Sequence, residues 1–168
     1  TLCQQSRLRL SPMPSDEQLM RDALRLARRA RGETSPNPLV GAVLAKRGNI
    51  IGRGWHRRAG LPHAEVEVIA DAKRKGNPTK GATLYVTLEP CSTSGRTPPC
   101  THSIIRAGIS RVVVAATDPN PEHAGRAFRW LKRKDIAVEH GLLAEQAAEI
   151  NVAFNHWITA GLPFVTVK

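Results

Sequence analysis

Apolar residues early in the chain recur at three- and four-residue intervals. Met20, Ala23, Leu24 and Ala27 form one stripe, and Arg21, Arg25, Arg28 and Arg29 fall opposite it. That is the pattern of an amphipathic helix, packed on one side and solvated on the other. Ser15 is placed to cap it, with Asp16 and Glu17 in the first turn and Gln18 at the capping-box position. The periodicity runs to about Ala30, and Gly32 stops it. Thr34-Ser35-Pro36-Asn37-Pro38 predicts a rigid loop. The period then changes: Leu39 to Leu44 is an apolar run, Ile50-Ile51 opens another, and Lys46-Arg47-Gly48-Asn49 between them is the turn of a hairpin.

From His63 to roughly Lys75 the spacing predicts a helix with Val66, Ile69 and Ala70 facing inward, ended by Gly76-Asn77-Pro78. Ala82 to Leu88 reads as a strand. Ser92 to Pro99 is a polar loop, and a helix follows from about Cys100 to Ala107. Arg111 to Ala116 is a strand apolar on both faces, as in a buried parallel sheet. Gly125 to Lys134 reads as helix, Ile136 to Glu139 as a short strand, Leu143 to about Thr159 as the last helix, and Val165-Thr166-Val167 as the start of a further strand. A helix, a hairpin, then alternating strands and helices predict a three-layer α/β domain.

The 168 residues suit one such domain over 15–168, preceded by a tail over 1–14 that reads as disordered. The chain begins with Thr1, as a processed or excised chain would. Its first residues lack the apolar core of a secretory signal, and no apolar run approaches a membrane span. Three cysteines do not suggest a disulfide framework, and a reducing cytoplasm is the simplest compartment. The net charge of +11 fits nucleic acid, a phosphorylated small molecule, or solubility alone. Much of it lies on the first helix, with no interleaved aromatic residues to stack bases, so nucleic acid is the weaker reading.

The chemistry lies in a split set of residues. His63-Ala64-Glu65 comes first, Pro90-Cys91 follows, and Cys100 stands nine positions after Cys91. One imidazole and two thiolates leave a fourth tetrahedral position open, as in a catalytic zinc site. Closing it would take a fourth ligand, and His102 is the near candidate. Glu65 can serve as a proton shuttle beside the metal. Zinc nucleobase deaminases carry H-x-E…P-C-x-x-C; here the second half is stretched to C-x8-C. His63 and Cys100 open predicted helices, whose N-terminal N–H groups favour thiolates. Glu89-Pro90-Cys91 stands at the C-terminal end of a strand, where ligand sites of α/β sheets lie.

Further segments complete the pattern: Thr34 to Gly41, Gly54-Trp55-His56, Val86-Thr87-Leu88-Glu89-Pro90-Cys91, Gly95-Arg96-Thr97-Pro98-Pro99-Cys100 and Asp118-Pro119-Asn120-Pro121. With these the chain resembles the cytidine-deaminase-like zinc superfamily. Within it, the chain looks like the deaminase domain of the bifunctional riboflavin-biosynthesis deaminase-reductases. The match covers nearly everything from Asp16 to Lys168, and the C-x8-C loop ending in Thr-Pro-Pro-Cys is specific to that branch. The resemblance implies an α/β/α fold with a mixed sheet of about five strands. It also implies hydrolytic deamination of 2,5-diamino-6-ribosylamino-4(3H)-pyrimidinone 5′-phosphate, with release of ammonia. His63, Cys91 and Cys100 would hold zinc, with Glu65 as shuttle. Asn37 and His56 would touch the base or ribose, and Arg96, Asp118 and Asn120 the ribose phosphate region. Another nucleoside, nucleotide or nucleic-acid base is the alternative substrate. A homo-oligomer is implied, with Phe154 and Trp157 of the last helix available either for contacts or for the core. The family usually continues into a reductase domain after a segment like Leu162 to Lys168, so an excised domain or a deaminase working with a separate reductase is expected. One departure stands out: where the family has a His soon after the first Cys, this chain reads Ser92-Thr93-Ser94.

Overall fold

The computed structural model describes residues 13–93 and 98–167. Most of the tail expected to be disordered, with Cys3, lies outside the described residues, and so does Arg96. The first helix, α1 (Asp16–Ala27), starts as its sequence predicts. Gln18 N–H donates to Ser15 Oγ (3.2 Å) and Ser15 N–H donates to Gln18 Oε1 (2.8 Å). Its last expected turn, Arg28–Ala30, tightens into a 3-10 helix.

Strands β1 (Gly41–Lys46) and β2 (Asn49–Trp55) form the hairpin, and α2 (Ala64–Arg74) follows. The rest alternates: β3 (Thr83–Leu88), α3 (Cys100–Arg106), β4 (Arg111–Ala116), α4 (Arg126–Lys132) and β5 (Ala137–His140). The sheet order is β2-β1-β3-β4-β5, with β1 antiparallel to both neighbours and β3, β4 and β5 parallel. Side chains alternate across it. Leu44, Leu84, Val86, Val112 and Val114 pack with Val68, Ile104 and Leu131 from α2, α3 and α4. Val43, Tyr85 and Val113 pack on the other face with Met20, Ala23 and Ala147. The result is the three-layer α/β/α architecture.

Three expectations are corrected. Of the residues expected to face inward on α2, Ile69 is buried, but Val66 and Ala70 are half-buried and line a shallow groove against Ser103 and Arg106. The buried stripe is instead Ala64, Glu65, Val68, Ile69 and Ala72, because α2 lies hard against β2. A Cβ at Gly52 would come within 2.5 Å of the Val68 carbonyl oxygen, and one at Gly54 within 2.4 Å of the Val68 nitrogen. Second, the last helix is two, α5 (Ala144–Ile150) and α6 (Val152–Ala160), broken at Asn151. Buried Asn151 accepts from Leu39 N–H (2.7 Å) and donates to the Leu39 carbonyl (2.9 Å). Third, Val165–Val167 is exposed and forms no strand, since no neighbouring strand offers it a ladder.

The pairing brings distant segments to one end of the sheet. Gly41, at the start of β1, pairs with Trp55 at the end of β2, and Ala42 pairs with Val86 near the end of β3. Because β1 runs against both neighbours, the loop before it meets the segments after them. His56 N–H donates to the Val40 carbonyl (2.9 Å), and Gly41 N–H donates to Thr87 Oγ1 (3.1 Å). Parallel β4 adds its own C-terminal end, where Glu89 N–H donates to the Ala116 carbonyl (2.9 Å).

At the opposite end, Asp16 ties α1 to the sheet. It accepts from Tyr85 Oη (2.6 Å) and from both terminal nitrogens of the Arg111 guanidinium (2.5 and 3.2 Å), while Arg111 Nε donates to Glu139 (2.9 Å). The Arg111 hydrogen bond holds the Asp16 carboxyl below its usual range. A carboxyl depressed on folding stabilises above its unfolded pKa of about 3.9 and loses that contribution as pH falls through the folded value. Asp16→Asn is expected to cost about 1 kcal/mol at pH 7, solvent screening keeping the figure modest. The difference from the parent should vanish in denaturant titrations well below pH 4. A pH-independent difference would refute this account.

Candidate active site

At the convergent end, His63 caps α2 and Cys100 opens α3, while Cys91 follows β3 by three residues. His63 Nδ1 lies 3.2 Å from Cys100 Sγ and 3.7 Å from Cys91 Sγ, and the three donor atoms all lie within 4.8 Å of one another. A tetrahedral ion with bonds of about 2.0 Å to nitrogen and 2.3 Å to sulfur needs N···S edges of roughly 3.6 Å. The observed spacing is close to that. Cys100 N–H donates to Cys91 Sγ (3.2 Å), favouring the thiolate a metal requires. His102, the candidate fourth ligand, is exposed, pairs with Trp130 (ring centroids 6.4 Å apart) and is not in the cluster.

The charges also fit a cation. Without one, the hydrogen bond from Cys100 draws the Cys91 thiol down to about 4, while that same bond and burial push Cys100 up. Hydrogen bonding to Cys91 raises His63. Burial pushes the Glu65 carboxyl up to about 7, and the Cys91 charge adds to it. The half-buried His63 imidazole, the Cys100 thiol and the Glu65 carboxyl are thus biased toward holding protons that a divalent ion would displace, while Cys91 is biased toward its thiolate.

The cavity over this cluster has a volume of about 190 Å³; its walls include Asn37, His56, His63, Glu65, Cys91 and Asp118. His56 is buried and directional. Its Nδ1 faces the Pro62 carbonyl (3.1 Å), which can only accept, so Nε2 is the acceptor for Asn37 Nδ2 (3.1 Å). Burial lowers the His56 pKa, which keeps this neutral form in place. The Asn37 carboxamide is therefore oriented with Oδ1 as its unused acceptor. Asn120 is not on the cavity wall: its Oδ1 accepts from Glu122 N–H (3.0 Å) and its N–H donates to Asp118 Oδ1 (2.9 Å), so it shapes the turn that carries Asp118. Phe154 packs on the core and closes the cavity, whereas Trp157 stays half exposed.

Two residues were missed by sequence reasoning. Glu89 is buried, and its carboxylate accepts from Asp118 N–H (3.2 Å), Gly125 N–H (2.9 Å) and Ala127 N–H (3.0 Å). One side chain, two positions before Cys91, thus anchors the whole segment bearing Asp118. His123 comes from that segment and lines a vestibule with Ser92, Thr93 and Asp118. A buried acid beside a metal-ligand motif was the available signal for Glu89; nothing local distinguishes His123.

Residues 13–116 match the cytidine and deoxycytidylate deaminase zinc-binding region. The chain is 51% identical over 153 residues to the riboflavin biosynthesis protein RibD of Aquifex aeolicus, covering 91% of this chain and 42% of that protein. It is 49% identical to RibD of Escherichia coli, covering 91% and 41%. Among solved structures, a diaminohydroxyphosphoribosylaminopyrimidine deaminase/5-amino-6-(5-phosphoribosylamino)uracil reductase from Thermotoga maritima superposes with a TM-score of 0.85 at 43% identity, covering 89% of this chain and 42% of that one. The chain thus spans about two fifths of the length of these three relatives.

Glu89→Gln keeps the shape but sets an amide N–H₂ against backbone N–H donors. It is expected to cost about 1–3 kcal/mol and to speed hydrogen exchange at Gly125 and Ala127. Bound metal should be unaffected. Unchanged protection at those two amides would sink the anchoring role.

Proposed function

Because the chain belongs to the cytidine and deoxycytidylate deaminase zinc-binding family, we propose that it hydrolytically removes the 2-amino group of 2,5-diamino-6-ribosylamino-4(3H)-pyrimidinone 5′-phosphate and releases ammonia. The observation that carries this reading is buried Glu65 on the wall of one cavity with His63 and Cys91, two of the three clustered donors. Relatives named for riboflavin biosynthesis at about half identity support the substrate class. His63, Cys91 and Cys100 would hold zinc. The chemistry zinc supplies when bound is acidification of a water from a pKa of 15.7 to about 7.

The chain's own groups do the rest. Glu65 takes the proton of the attacking water and delivers it to the departing amine. Its buried carboxyl is biased toward accepting a proton near neutral pH. Asn37, held by His56, presents Oδ1 to an N–H of the pyrimidine. Asp118 and the turn shaped by Asn120 face the ribose phosphate end of the substrate, with Arg96 as the phosphate's cation. His123 brings an imidazole to the vestibule beside Ser92 and Thr93, which stand where the family has its His.

No described helix is long and apolar enough to cross a membrane. A cytoplasmic setting, which keeps thiolate ligands reduced, suits the site. Exposed Trp157, Leu162 and Phe164 support a homo-oligomer or contact with a reductase partner.

Ammonia release should be measured on zinc-loaded protein, with cytidine and single-stranded nucleic acid as parallel substrates. Release is expected from the pyrimidine phosphate alone and should be lost on chelation. Glu65→Gln should lower kcat by about 10²–10⁴ with zinc stoichiometry unchanged. Turnover of cytidine or nucleic acid in place of the pyrimidine would redirect the assignment, and a parent-like rate for Glu65→Gln would overturn the mechanism.

A further inference from the structure

Beyond the proposed catalytic cavity, a second cleft of about 480 Å³ opens between α3 and α4, lined by Ser92, Pro99, His102, Arg126, Arg129, Trp130 and Arg133. Its size is that of a small-molecule site. At about 100° per residue, Arg126, Arg129, Trp130 and Arg133 fall within roughly 100° of arc on one face of α4. Ala127, Phe128 and Leu131 point away into the core. The α4 face therefore offers three guanidiniums and an indole to one concavity, with the His102 ring tilted toward Trp130 from α3.

Elsewhere only part of the positive charge is locally answered. Arg21 and Arg25 pair with Glu17 and Asp22, Arg57 with Glu67, Arg74 and Lys75 with Asp71, and Arg111 with Asp16 and Glu139. Among the described residues, Arg126, Arg129 and Arg133 have no acidic partner, and no acidic residue lines the cleft. Residues 94–97, Ser-Gly-Arg-Thr, carry no acid either. Three like charges around one hollow repel one another, and a dianion relieves that repulsion with charge-assisted, bidentate hydrogen bonds. Solubility would account for the arginines but not for an indole 38% exposed in their midst. Guanidiniums bind phosphate, and the part of the indole not covered by Lys134, whose Nζ lies 5.5 Å from the ring centroid, can stack a heterocycle.

We propose that this cleft binds a phosphorylated heteroaromatic small molecule of the nucleotide class, at a site separate from the metal cavity. Its phosphate lies among Arg126, Arg129 and Arg133, and its ring lies on Trp130. Ser92 and Pro99, which border the cleft, belong to the segment joining Cys91 to Cys100. An occupant therefore touches the chain that connects two candidate metal ligands.

The test is calorimetric titration of the zinc-loaded protein with adenosine 5′-monophosphate, alongside adenosine, inorganic phosphate and a single-stranded oligonucleotide. The nucleotide should bind at least about tenfold more tightly than adenosine or phosphate. Trp130→Ala, and Arg129→Glu with Arg133→Glu, should each weaken it about tenfold, and Trp130→Phe should restore most of the loss. Zinc stoichiometry and circular dichroism check that each variant folds, and Asn37→Ala, which alters the wall of the metal cavity and not of this cleft, should still bind the nucleotide. Absence of nucleotide binding by the parent protein would overturn the proposal. So would equal affinity in Trp130→Ala, or loss of binding in a folded Asn37→Ala. An oligonucleotide that binds with a steep salt dependence and is not displaced by the mononucleotide would assign the cleft to polynucleotide instead. None of these readouts uses deamination, so failure here is distinct from failure of the proposed reaction.

Discussion

The candidate site depends on how closely α2 can approach the sheet. Gly52 and Gly54 leave β2 bare where the helix crosses it, and a single Cβ at either would strike the Val68 backbone. A backbone collision cannot be relieved by rotating a side chain, so the helix would have to lift away. His63 and Glu65 are at the start of that helix, and Cys100 reaches the same point from α3. A displacement of about 1 Å would spoil donor spacings of 3.2 and 3.7 Å. Two missing side chains in a strand therefore protect chemistry several residues away.

Strand direction is the second constraint. An all-parallel sheet would place the loop before β1 at the wrong end. Because β1 is antiparallel to both β2 and β3, its preceding loop, carrying Asn37, meets His56 and Cys91. Asn151, remote in sequence, then holds the Leu39 backbone. The turn with Asp118 is held by Glu89 in the same way, through three backbone donors. The two loops that bring Asn37 and Asp118 to the cavity wall are thus each fixed by a buried side chain from another segment. That arrangement gives loops the precision of the scaffold.

Electrostatics divide the molecule. Glu89 is answered by backbone N–H groups. In the donor cluster, Glu65, Cys91 and Cys100 are acids gathered around one imidazole, and only protons or a cation can balance them. On the outer surface the sign reverses, and the basic cleft of α4 lies a short chain segment from the cluster. The net charge of +11 is therefore unevenly used: ion pairs absorb part of it on α1, while arginines without acidic partners face one hollow on α4.

Local physics is legible in sequence. The Ser15–Gln18 capping box, the hairpin around Gly48, the buried β4 run and the placement of His63 and Cys100 at helix starts all follow from short-range periodicity and capping chemistry. The motif His63-Ala64-Glu65 with Cys91 and Cys100 was readable because metal chemistry demands particular residue types. What escaped depended on partners remote in sequence. An apolar period finds a helix face but not its neighbour, so Val66 and Ala70 were expected inside while Gly54 shifts the buried stripe to Ala64, Val68 and Ala72. Asn151 interrupts an otherwise helical run because Leu39, 112 residues away, occupies its amide. Val165-Thr166-Val167 has strand composition, but a strand exists only where another offers its backbone. Residue chemistry and local period determined the elements and the donor types. Backbone approach and long-range hydrogen bonds decided, through the tertiary structure alone, which of those residues share a cavity.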